Sequence, residues 1–188
     1  MGRWEPDARG RLLKAAMELY GERGFEQTTV AEIAGRAGLT ERTFFRHFAD
    51  KREVLFAGAR ALEDLLVSAV AKAADGLAPI EAAAAGIEAA GAAIQEGGEL
   101  PRQRQMIIAA SAELQERELI KLASLAAALA DALRQRGVGE PAASLAAEAS
   151  IAVFRIAFER WINQTGQQDL SQLIRESLDE LIAVTAGQ

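Results

Sequence analysis

Residues 29–56 read TVAEIAGRAGLTERTFFRHFADKREVLF, and the fold turns on how this stretch is parsed. Thr29 followed three residues later by Glu32 is a capping-box pattern, and Val30, Ile33, Ala34 and Ala37 supply one apolar face, so a short helix opens here. Gly38 stops it. Leu39 and Thr40 make a tight connection, with Thr40 placed to cap a further helix over residues 41–48. Two short helices about a glycine turn have the form of a helix-turn-helix. Ile33, Ala37, Leu39 and Phe48 are spaced to lock the pair at a fixed angle, which leaves Glu41, Arg42, Thr43, Phe44, Arg46 and His47 as candidates for exposure. A helix presented in that way enters the major groove of DNA.

Upstream, residues 7–23 place Leu12, Leu13, Ala16, Met17, Leu19 and Tyr20 on one helical stripe, between a capping Asp7 and a terminating Gly24. Downstream, Asp50 and Glu53 repeat the capping pattern and predict a long helix to Ala74, on the order of 36 Å, with Leu55, Leu62, Leu66 and Val70 on its buried side. GLAP, GGELP and GVGEP then punctuate helices over about 79–96, 101–111 and 141–165, each proline suiting a first turn. Residues 113–136 and 169–185 complete an all-α chain of about nine helices, with a break near Ser111 left open. The expected division is a three-helix head, 1–50, and a larger helical bundle, 51–188.

The composition agrees. Of 188 residues, 50% are hydrophobic and only 5% aromatic, with Ala, Leu, Glu, Arg and Gln dominant, so a helical core is favoured over disorder. The absence of cysteine excludes disulfides, thiolate metal sites and cysteine nucleophiles, and a single histidine leaves no pair for a metal centre or for acid–base work. No phosphate loop occurs, since Gly97–Gly98 is not followed by Lys-Ser/Thr; neither an enzyme nor a cofactor is expected. Net charge is −6, but residues 1–52 hold 10 Lys/Arg against 8 Asp/Glu while the remainder holds 11 against 19, so the acid lies away from the head. Glu81, Glu88, Lys121 and Asp131 interrupt the longest apolar runs, and MGRWEPDARG lacks the apolar core of a signal peptide; a soluble, cytoplasmic protein with no membrane partner is expected.

Thr29, Ile33, Ala34, Ala37, Gly38, Leu39, Thr43, Arg46, His47, Phe48, Lys51 and Leu55 fall where the TetR family of transcriptional regulators places its signature residues, and the head resembles that family. For the remainder only length and helix count agree. The resemblance implies a homodimeric DNA-binding regulator, more often a repressor, that reads a pseudo-palindromic double-stranded operator and answers to a small-molecule effector. Arg42 lies where family members reach base edges, and its guanidinium suits guanine. Arg46, Thr29, Thr40, His47 and Lys51 look like phosphate contacts, with the starts of the second and fourth helices adding favourable dipole ends. Two positions depart from the family pattern. Phe45 stands where a tyrosine usually meets a phosphate, and Glu41 is acidic where basic or small residues are common. Glu41 either stabilises the helix start or accepts from a cytosine amino group. Tyr20, Phe25, Phe44 and Phe45 are spaced as core residues, with Phe44 also able to touch a thymine methyl, and His47 can equally pack beside Phe48.

Beyond the head, the resemblance implies a ligand cavity, for which Leu62, Leu66, Met106, Ile107, Ala110, Leu122, Phe154, Phe158 and Trp161 are candidate walls and also candidate core. Arg104, Gln105, Arg155 and Glu159 are the polar anchors available to a largely hydrophobic effector. Arg155 and Glu159, four apart in an apolar helix, alternatively pair with each other within or beside a buried interface. Leu170, Leu173, Ile174, Leu178, Leu181 and Ile182 make a stripe on the last helix, and Ile151, Arg155 and Phe158 lie on the preceding one. These two helices and their symmetry mates are expected to form a four-helix dimer interface. A competing reading is a helical small-molecule carrier whose head binds a protein; salt-dependent DNA binding separates the two.

Overall fold

A computed structural model describes residues 7–164 and 168–187. Among them are nine helices and no strand, as expected: α1 (Ala8–Arg23), α2 (Val30–Arg36), α3 (Glu41–His47), α4 (Ala59–Lys72), α5 (Pro79–Gln95), α6 (Leu100–Ala109), α7 (Ala112–Gln135), α8 (Ala142–Asn163) and α9 (Leu170–Ala186). The starts obey local chemistry. Asp7 Oδ1 accepts from the Gly10 amide at 2.8 Å, and Thr29 with Glu32 forms the complete capping box. The Thr40 hydroxyl accepts from the Thr43 amide at 3.2 Å.

The long helix expected from Asp50 begins nine residues later, at Ala59, and its 14 residues span about 21 Å. Asp50 does accept from the amides of Arg52 and Glu53, but residues 51–58 remain a series of turns. The reason lies in their surroundings. Val54, Leu55 and Phe56 are all buried in the core of the first unit. Their carbonyl neighbourhood is also taken from outside: Tyr20 donates to Lys51 O at 2.6 Å, Arg104 Nε to Leu55 O at 2.7 Å and Arg9 to Ala57 O at 2.6 Å. No helix dipole end therefore faces outward at Asp50. Near Ser111 the chain does break, between α6 and α7, and Pro141 precedes α8 instead of lying in its first turn.

Two compact units result, divided otherwise than by a cut after residue 50. The first joins the chain up to Gly58 with Arg102–Arg117, and the second joins Ala59–Pro101 with Glu118 onward. Ile107, Ile108 and Leu114 share one buried cluster with Leu12, Leu19, Phe25, Ile33, Phe44 and Val54–Phe56, so the α6–α7 corner completes the core of the head. In the second unit α5 packs against α4, α8 and α9. Close approach there depends on small residues: a Cβ added to Gly91 would lie 2.5 Å from Ile174 Cδ1, and one on Gly86 3.1 Å from the Leu66 carbonyl oxygen. Arg136, just past α7, caps α4 by donating to the carbonyls of Val70, Ala73 and Ala74 at 3.1, 2.9 and 2.8 Å. No described helix is long and apolar enough to cross a membrane.

The candidate cavity walls divide among different clusters. Met106, Ile107 and Ala110 belong to the first unit, where with Met17, Tyr20 and Phe25 they line an open groove of about 860 Å³. Leu66, Phe154 and Trp161 are core residues of the second unit, with Phe158 packed on them. Leu62 and Leu122 border a separate cluster of Leu125, Ala126 and Ile151. Arg155 and Glu159 are exposed and 3.5 Å apart, so their pair is not buried within the chain. The expected α9 stripe also needs correction. Leu170, Leu173 and Ile174 are fully buried in the subunit, because α9 turns that side onto α5 and α8. Leu178 and Leu181 are half-buried, and only Ile182 is exposed.

Candidate nucleic-acid interface

The head is assembled around α3. Phe44, fully buried, anchors that helix in the core beside Phe48, which excludes it from a groove contact; the reason is register, since Phe44 shares the inward face with Phe48 four residues on. Phe45, expected in the core, is 55% exposed instead. It is the residue of this surface that the spacing argument missed. Its signal was present in the spacing from Phe48: Phe44, four residues before it, shares its inward face, and Phe45 lies a step of about 100° round a helix too short to be enclosed on all sides. Gly38 has φ +68°, a left-handed conformation suited to glycine, and a Cβ there would come within 2.8 Å of Arg11. Arg11 donates to the Ala37 carbonyl beside it and so holds the turn from behind.

Lys51 has a structural position. Its ammonium donates to the carbonyls of Phe25, Glu26 and Thr28 at 2.8, 3.3 and 3.0 Å and lies 4.2 Å from the centroid of the Phe25 ring. Three donors on three carbonyls leave none directed outward. Burial, and after it the Asp50 carboxylate, push the Tyr20 phenol well above its ordinary value, which keeps it a donor to Lys51 O. The Arg52 side chain holds Asp50 below the usual carboxylate range. His47 is half-buried, and its Nε2 is enclosed without a hydrogen-bond partner.

Charges across residues 7–58 are mostly consumed internally. Arg9 and Arg11 bond carbonyls, Arg23 pairs with Glu32, Arg36 with Glu22 and Glu18, and Arg52 with Asp50 and Glu113. Glu26 accepts from Ser111 and Glu53 from Arg117. Among the described residues, Lys14, Glu41, Arg42 and Arg46 stand outside this network, and three of these four lie on α3. Thr29 and Thr40 are exposed at the starts of α2 and α3, while Thr43 is half-buried with its hydroxyl 3.1 Å from that of Thr40. The arrangement is a short, rigidly seated helix offering two unpaired guanidiniums, one carboxylate and one aromatic ring.

Residues 12–57 match the family profile described as bacterial regulatory proteins of the tetR family, and residues 77–186 match that described as the MftR C-terminal domain. The HTH-type transcriptional regulator TcmR of Streptomyces glaucescens is 33% identical over 89 residues, which are 47% of this chain and 39% of TcmR. The chain thus spans less than half the length of the curated relatives it first matches. Among solved structures, the fatty acid degradation regulator FadR from Bacillus halodurans superposes with a TM-score of 0.64 at 18% identity, covering 96% of both chains. The triclosan complex of SmeT, the repressor of the Stenotrophomonas maltophilia efflux pump SmeDEF, superposes with 0.66 at 23%, covering 94% of this chain and 90% of SmeT. These two likenesses concern the fold. With one profile on the head and a second spanning more than half of the chain, this protein belongs to the TetR family of transcriptional regulators.

Proposed function

We propose that the chain is a homodimeric, sequence-specific DNA-binding regulator of the cytoplasm, acting as a repressor that a small, largely hydrophobic effector releases from a pseudo-palindromic operator. The observation that carries this reading is the concentration of unpaired charge on α3. Arg42, near the helix start, reads a guanine edge, and Arg46, Thr29, Thr40 and His47 meet phosphates that set the register. Lys51 supports the loop before α2 in place of the phosphate role. With Lys14, Arg42 and Arg46 the unpaired Lys and Arg side chains among the described residues of each head, a dimer that uses these alone neutralises few phosphates, and log affinity against log salt has a slope of about −5. Selection of bound sites from random duplex DNA, followed by salt titration on the selected site, tests this. Arg42→Ala costs about 1–3 kcal/mol on that site and little on random DNA; equal losses on both would remove the base-reading role.

Dimerisation is assigned to the outward sides of α8 and α9. Leu145, Ala152 and Ile156 recur at helical spacing on the exposed side of α8, with Ile182 and Val184 exposed on α9. Two heads then meet successive major grooves about 34 Å apart or a small multiple of it. Ile156→Asp is expected to give a monomer by sedimentation and to abolish operator binding. The effector reading rests on the apolar character of the helical remainder and on the fold shared with SmeT, which was solved with triclosan. Hydrophobic compounds that raise the melting temperature are expected to lower operator affinity in proportion to their differential binding.

A further inference from the structure

Resting on the DNA-binding reading, we infer that Glu41 and Phe45 form a pyrimidine-reading stripe on α3, the Glu41 carboxylate accepting from a cytosine 4-amino group and the Phe45 ring packing on the methyl of a neighbouring thymine. Residues four apart share a helix face, so the outward surface of α3 carries two parallel stripes, Glu41 with Phe45 and Arg42 with Arg46. The second is cationic and suits guanine and phosphate. The first pairs an anion with an apolar ring, a combination with no use against phosphate.

Glu41 lies in the first turn of α3, where a carboxylate favours the helix dipole, yet it makes no side-chain bond there among the described residues. The start of α3 is already capped by Thr40, and every other described acid of residues 7–58 has a recorded bond, whereas Glu41 is exposed and outside that network. In a major groove most base-edge groups are acceptors that repel a carboxylate. The 4-amino group of cytosine and the 6-amino group of adenine donate, but adenine adds its N7 acceptor beside the amino group, while the neighbour on cytosine is a C–H. The carboxylate therefore selects C·G both by accepting from it and by repulsion from the alternatives. Phe45 is prepared for its part. Its ring stands edge-on to the buried Phe44 ring, centroids 5.5 Å apart and planes 84° apart, so an immobile neighbour props it outward. Lacking a hydroxyl, it offers the groove only apolar surface, and the 5-methyl of thymine is the apolar group the major groove presents.

The test uses the full-length protein. Wild type, Glu41→Gln and Phe45→Ala are measured on the selected operator and on duplexes carrying each base pair at each position of one half-site. Wild type is expected to prefer C·G at one position by about tenfold. Glu41→Gln loses most of that preference yet binds the other duplexes as well as wild type or better, because the repulsion is gone. Replacing single thymines by uracil deletes one methyl group each. At a position beside that cytosine the change costs wild type about fourfold and costs Phe45→Ala nothing. A preference for cytosine that survives Glu41→Gln, or uracil substitutions without cost to wild type, overturns the inference while leaving DNA binding intact. Failure of wild type to distinguish any duplex from random DNA overturns both.

Discussion

In the head, Lys51 ties together three carbonyls, Tyr20 a fourth, Arg104 a fifth, and Ser111 reaches across to Glu26. In the α4–α5–α8–α9 assembly the interior is instead built from Ala82, Ala83, Gly86, Ala90 and Gly91 set against Leu66, Val70 and Ile174, with polar ties at its margins: Arg136 to α4, Gln95 and Glu88 of α5 to α9, and Arg160 of α8 to Ser177 and Glu176. The difference teaches where each unit is vulnerable. Directional bonds define the turns and angles that present α3, so the head is open to the loss of a bonding partner as well as to truncation of its core. Close packing defines the second unit, so a substitution there acts through volume.

The largest expected effect comes from Ile108→Ala. Ile108 is fully buried in the head cluster although it lies far along the chain, and its truncation costs about 2–5 kcal/mol. Hydrogen exchange is the informative measurement. Amides of α1–α3 are expected to lose protection while those of α5, α8 and α9 keep theirs. An equal loss in both sets would make the chain one cooperative unit and dissolve the contrast between them.

Next is Lys51→Met, which leaves three carbonyls without their charged donor and costs about 1.5–3 kcal/mol of stability, read by chemical denaturation. Its salt dependence on operator DNA stays at the wild-type slope, whereas Arg46→Ala makes the slope shallower. A shallower slope for Lys51→Met, with stability unchanged, would return Lys51 to the phosphate surface and make the head less self-contained than the bonds indicate.

The same contrast explains what could be read in advance. Thr29–Glu32, Thr40 and Asp7 are caps, whose partners lie within three residues, and all three appear where the pattern places them. The helix expected from Asp50 failed because the groups that withdraw its carbonyls, Tyr20, Arg104 and Arg9, are 31, 49 and 48 residues away. Phe44 takes the core place that its spacing favours and Phe45 does not, because a stripe of aromatics fixes a period but not its phase. On α9, Leu170, Leu173 and Ile174 read equally well as a subunit core or as a dimer seam; only the approach of α5, permitted by Gly91, decides for the core. Cavity walls were the least legible, since an apolar residue facing a ligand and one facing a neighbour have the same chemistry.

Thr29→Ala and Thr40→Ala sharpen the comparison at a lower magnitude. Each removes one cap and costs about 1 kcal/mol, the two adding because the caps serve different helices. Thr29→Ala also deprives Glu32 of its hydroxyl partner while the backbone amide of residue 29 remains, so Glu32, now held below the ordinary carboxylate range chiefly by the Thr29 hydroxyl, moves upward in a carboxylate titration followed by NMR.

The smallest effect is expected for the pair Arg155–Glu159. Both side chains are more than half exposed on α8, their charged atoms are 3.5 Å apart, and they are related by one helical turn, so the Coulomb attraction is screened and the side-chain entropy spent in holding them is nearly as large. A double-mutant cycle with Arg155→Ala and Glu159→Ala at concentrations where the protein is monomeric gives a coupling of about 0.3–0.5 kcal/mol or less. The same cycle run on the dimer is the discriminating half. If the outward side of α8 is covered by a second subunit, the pair loses solvent and its coupling rises with the fraction of dimer. A coupling that stays the same at both concentrations would take Arg155 and Glu159 out of the interface, leaving Leu145, Ala152 and Ile156 to account for assembly by apolar area alone.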